Sequence, residues 1–68
     1  MTVSAQAKQT LASLKGIRAT LDMFALHGEN GEAKTVYRRN SERVGQVIDD
    51  LEQRISVLEF AEPQYKGF

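Results

Sequence analysis

The 68-residue chain has room for one small domain. It has no cysteine, so neither disulfides nor thiolate metal sites can supplement a core that supplies about 3–5 kcal/mol at this size; close helix packing or self-association must do so. Nine basic and nine acidic residues give zero net charge, which argues against a nucleic-acid binder or a polybasic membrane anchor, both of which carry a positive excess.

The opening Met1-Thr-Val-Ser-Ala-Gln-Ala-Lys8 lacks the basic-then-apolar order of a secretory signal. The longest apolar run, Met23–Leu26, is far short of the roughly 20 residues of a membrane span, so no transmembrane segment is expected. With cysteine absent, this fits a cytoplasmic setting.

The first predicted element is a helix over about residues 3–26. It has no proline and is rich in Ala, Leu, Lys and Gln, which are good helix formers. Thr2 or Ser4 can cap its start. Val3, Ala7, Leu11, Leu14, Ile17, Leu21, Phe24 and Ala25 recur at three-four spacing and form a large apolar stripe. Ala5, Ala12, Ala19 and Leu26, seven apart, form a second stripe of mostly small residues, extended by Gly16 and Met23. Large side chains suit a partner helix within the chain. Small ones either admit a second backbone, which makes this stripe the candidate self-association surface, or are simply good helix fillers.

His27-Gly-Glu-Asn-Gly31 is the predicted loop. Gly28 can take the left-handed conformation that ends a helix. Asn30 can cap the next helix, and Glu32 sits near that helix's positive end. So short a connection makes the two helices antiparallel neighbours.

The second helix is expected over about residues 32–60. Its apolar stripe is Ala33, Val36, Tyr37, Val44, Val47, Ile48, Leu51, Ile55 and Leu58, with Arg38, Ser41, Glu42, Asp49, Glu52, Gln53 and Ser56 opposite. Asn40 interrupts the stripe, where it either fixes register or meets water. Basic residues come first and acidic residues last, against the helix dipole. An antiparallel hairpin compensates by bringing Lys8 and Lys15 beside the acidic half and Asp22 beside Arg38. Arg38–Glu42 and Asp50–Arg54 are spaced as i,i+4 pairs. Residues 61–68 are read as an extended tail, because Pro63 disfavours a helical Glu62. Pro63, Tyr65, Lys66 and Phe68 make the tail either a segment folded back on the hairpin or a partner-binding segment.

Catalytic patterns are missing. The chain has one histidine, His27, at a helix end, and no Glu-x-x-His spacing of a bundle metal site. Asp49 and Asp50 diverge by about 100° on a helix, and no serine has a base beside it. No catalytic residue, cofactor or metal is therefore expected. The one basic cluster, Lys34, Arg38, Arg39 and Arg43, is the alternative reading as a nucleic-acid or phosphate site.

Two stretches carry a family resemblance. Met1-Thr-Val-Ser-Ala-Gln-Ala-Lys-Gln-Thr-Leu-Ala-Ser-Leu-Lys-Gly16 with Ala19-Thr-Leu21, and the ending Leu58-Glu-Phe-Ala-Glu-Pro-Gln-Tyr-Lys-Gly-Phe68, resemble the domain of unknown function 1657 family of spore-forming bacteria. The resemblance implies a setting in sporulation and germination gene clusters. It also implies residence in the forespore or spore, and a partner among spore membrane-associated proteins. It supplies no catalytic residue.

The expectation is therefore an all-α, antiparallel two-helix hairpin over residues 1–60 with an extended tail over 61–68. Two helices cannot cover their own apolar stripes, so it should dimerise into a four-helix bundle. The expected function is that of a non-enzymatic structural or adaptor protein acting through protein–protein contacts.

Overall fold

A computed structural model describes residues 3–61. It contains two helices, α1 (Val3–His27) and α2 (Gly31–Ala61), packed antiparallel. The expected all-α hairpin is the fold. The tail residues Pro63, Tyr65, Lys66 and Phe68 lie outside the described residues.

The turn is built by Asn30. Its Oδ1 accepts hydrogen bonds from the backbone N–H of Glu32 (2.8 Å) and Ala33 (3.3 Å), satisfying two donors at the start of α2. Lys34 N–H donates to the Asn30 carbonyl (3.0 Å) and opens the helical ladder. Gly28 departs from expectation, since no described residue has a positive φ. Its N–H donates to the Phe24 carbonyl (2.9 Å), so the α1 bonding pattern runs on into the turn. What Gly28 supplies is space: a Cβ there would stand 3.0 Å from the Phe24 carbonyl oxygen and 3.0 Å from Cγ of Lys34. Within the helices, Thr10, Thr20 and Thr35 donate their hydroxyls to the carbonyls of Gln6, Gly16 and Gly31, so these polar side chains need no solvent or partner.

The seam is made of small residues and a few large ones. Ser4 and Ala25 of α1 are buried, as are Ser41, Gly45, Ile48 and Ile55 of α2. Ser41 was expected on the solvent side of α2 and is instead buried. It stands seven residues before Ile48 and fourteen before Ile55, on the row that faces α1. Its hydroxyl donates to the Asp22 carboxylate, which removes the cost of burying it. Gly45, one turn further on, lies under the guanidinium of Arg18, where a Cβ would meet Arg18 Cζ at 2.9 Å. Leu11, Leu14, Leu21, Tyr37, Val44, Leu51 and Leu58 flank the seam and are only half-buried.

The result is one layer of two helices, 48 × 17 × 11 Å, with a radius of gyration of 15.1 Å. A compact domain of this length would have about 11 Å. A single layer has no second layer to cover its faces.

Candidate functional site

The two broad sides of the hairpin differ in chemistry. One side is polar. Lys8 pairs with Glu59 (2.5 Å), whose Oε1 also accepts a hydrogen bond from the Ser4 hydroxyl (3.1 Å). Lys15 lies 3.7 Å from Glu52. Toward the turn, Asp22 and Arg38 line one depression with Ala25, Leu26 and Lys34. The positive first half of α1 thus meets the acidic second half of α2, as the charge order requires. These pairs are roughly half exposed, so they set register more than they stabilise. Of the two i,i+4 pairs, Asp50–Arg54 forms (2.9 Å). Arg38 and Glu42 make no ion pair, which leaves the Arg38 guanidinium on the rim of the Asp22 depression.

The other side is apolar. The helical repeat puts Ala7, Leu14 and Leu21 of α1 beside Tyr37, Val44, Leu51 and Leu58 of α2, with Val3, Ile17, Phe24 and Val47 outside them. Phe24 and Tyr37 close its turn end, their ring centroids 5.4 Å apart and tilted by 56°. Ile17 is 51% and Val47 52% exposed. Val36 and Val47, both assigned to the buried stripe on spacing, are exposed for the same reason as Ile17 and Phe24: they lie about a quarter turn or more off the row that meets the partner helix. Asn40 is half-buried on the row of Val47. Arg54, on that same row, is held by Asp50, and Arg43, eleven residues or about 20° of helix rotation away, stands where this side meets the back of α2. This apolar surface is drawn from both helices.

The sequence-derived candidates fall elsewhere. The alanine stripe borders the polar side. Ala5 is half-buried; Ala12, Gly16, Ala19 and Met23 are exposed, and Leu26 is 72% exposed. Nothing stands within 4 Å of a Cβ at Gly16. The basic residues do not form one cluster. Lys34 and Arg38 line the Asp22 depression, while Arg39 and Arg43 project from the back of α2. The Asp22 carboxylate lines the same depression as Lys34 and Arg38. His27 is exposed at the end of α1, in a shallow site with Phe24, Gly28 and Tyr37. Among the described residues, no three His, Asp or Glu side chains gather as a metal-binding group. Spacing alone did not single out Ser41, Gly45 or Arg18. The sequence signal was there only for Ser41, in its seven-residue register with Ile48.

A family model described as "Protein of unknown function (DUF1657)" matches residues 7–55, which span the turn and most of both helices. No curated protein and no solved structure matches the chain.

Proposed function

We propose that this chain, which belongs to the DUF1657 family, is a non-enzymatic structural or adaptor protein that acts through protein–protein contacts made by its apolar side. The observation that supports this reading is the continuous surface from Leu14, Ile17 and Leu21 to Val44, Val47 and Leu51. It is drawn from both helices, carries no charge at its centre, and has nothing over it among the described residues. The family resemblance adds the setting: sporulation and germination, in the forespore or spore, beside a spore membrane-associated protein. No helix of the described residues is long and apolar enough to cross a membrane, so such a partner would be engaged by docking.

The second reading, a nucleic-acid or phosphate site on Lys34, Arg38, Arg39 and Arg43, has less support because those side chains point to different sides and the Asp22 carboxylate shares a depression with two of them. The tail residues Pro63, Tyr65, Lys66 and Phe68 remain a second candidate partner-binding segment.

The test is affinity capture by the full chain from sporulating cells, comparing wild type with Val47→Glu, Ala12→Glu and Tyr65→Ser/Phe68→Ser. A partner lost with Val47→Glu and kept with Ala12→Glu supports the reading. Retention of every partner by Val47→Glu overturns it, as does salt-sensitive binding of DNA or RNA abolished by Arg38→Ser.

A further inference from the structure

We infer that the apolar side is the docking surface for a second copy of this chain, so that two hairpins face each other and close a four-helix bundle. This rests on the reading that the same side is the working surface, and it names the first partner that surface takes.

Three observations favour a second copy. The first is area. The chain exposes 5085 Å², whereas a compact protein of its mass exposes about 4,300 Å². The excess is of the order of the ~800 Å² that each partner contributes to a standard stable interface.

The second is self-complementarity. Leu14, Ile17 and Leu21 on α1 and Val44, Val47 and Leu51 on α2 repeat the same three-four spacing. A two-fold axis parallel to the helices lays the α1 row of one copy against the α2 row of the other, an isologous contact that closes a bundle. Net charge is zero and the central residues Leu14, Ile17, Leu21, Val44, Val47 and Leu51 are uncharged, with Arg43 and Arg54 at the edge of the surface. The polar positions Thr10, Asn40 and Arg54 stand seven residues from Ile17 or Val47, where they bracket the contact and limit sliding.

The third is reach. Residues 62–68 are another candidate cover. These seven residues span at most about 25 Å fully extended, against a hairpin 48 Å long. They cannot cover the turn end, where Leu21, Phe24, Tyr37 and Val44 lie.

In this assembly the alanine stripe stays outside, beside the ion pairs. The bundle therefore buries the large side chains of the apolar side and presents Ala12, Ala19, Met23 and Leu26 to solvent.

The experiment is sedimentation velocity on the full chain across a wide concentration series, with Ile17→Glu, Val47→Glu and Ala12→Glu beside wild type. Ile17 and Val47 are about half exposed in the single hairpin, so these charges disturb the contact between copies more than the seam within one. The expected result is a wild-type species of twice 7.6 kDa, a dissociation constant raised at least tenfold by either glutamate on the apolar side, and no change with Ala12→Glu. If a glutamate variant loses its helix, thermal unfolding of wild type decides: the midpoint must rise with protein concentration for a dimer. A midpoint independent of concentration, or a wild type that stays at 7.6 kDa, overturns the second copy. The adaptor reading would still stand, because capture of a different protein through Val47 is read separately. A dimer lost with Ala12→Glu and kept with Val47→Glu also overturns the proposal, placing the contact on the alanine stripe.

Discussion

Ile48→Ala is the sharpest probe of the seam. Ile48 is 4% exposed and sits midway along α2, in line with Ser41 and Ile55. The substitution removes three carbon atoms from a buried position, at about 0.8 kcal/mol each. The cavity left behind adds to this, and measured costs of such truncations run from about 2 to 5 kcal/mol. Two terms pull the figure toward the lower end. The flanking Val44, Leu51 and Leu14 are half-buried and free to close in, and alanine is the better helix former by a few tenths of a kcal/mol. The expected loss is about 2–3 kcal/mol, a large share of what a core of this size provides. Urea unfolding followed by far-ultraviolet circular dichroism, at one fixed protein concentration, measures it. Val57→Ala is the control, because Val57 is 66% exposed; its effect should stay within about 0.5 kcal/mol. A loss under about 1 kcal/mol for Ile48→Ala, or one no larger than that of Val57→Ala, would refute the placement of the seam.

Other perturbations read the turn and the helix interiors. Asn30→Ala removes the acceptor for two backbone N–H groups and should cost about 1 kcal/mol, with most of it regained by Asn30→Asp, in the same urea assay. Gly16→Ala should raise stability by up to about 1 kcal/mol, since nothing stands in the way of a Cβ. Gly28→Ala should lower it, because there the Cβ meets the Phe24 carbonyl oxygen. Gly45→Ala should be neutral to stabilising, because the atoms it meets are the far end of the exposed Arg18 side chain, which can swing aside.

Much of the hairpin was legible in the sequence because a single physical signal carries it. Val44, Ile48, Leu51, Ile55 and Leu58 follow the helical repeat without a break, and Asn30 followed by Glu32 marks a helix start by its hydrogen-bonding chemistry. The charge order also foretold the antiparallel pairs Lys8–Glu59 and Lys15–Glu52 in kind. Two features were not legible. Ser41 looks like a solvent residue by composition, yet where two helices approach closely a small side chain with a nearby acceptor is what fits, and the Asp22 carboxylate that accepts its hydrogen bond lies nineteen residues away. Nor does spacing separate a stripe buried within the chain from one left open. Ile17 and Val47 have the same apolar character as Leu14 and Ile48, and differ only in lying further round the helix from the partner. That angular offset becomes definite only once the two helices are paired, so the apolar side was read as core and the alanine stripe as the free surface.

The most direct test of the account asks which side of the hairpin is covered in solution. The chain has no cysteine, so a single thiol can be placed at will. Val47→Cys puts it on the apolar side, and Ala12→Cys puts it on the alanine stripe. Reaction of each full-length variant with a small thiol reagent, followed by mass spectrometry at a concentration where the dimer persists, compares the two. The account predicts that the thiol at position 47 reacts at least tenfold more slowly than the one at position 12, and that the difference closes on dilution. Equal rates at both positions, or protection at position 12 alone, would contradict it.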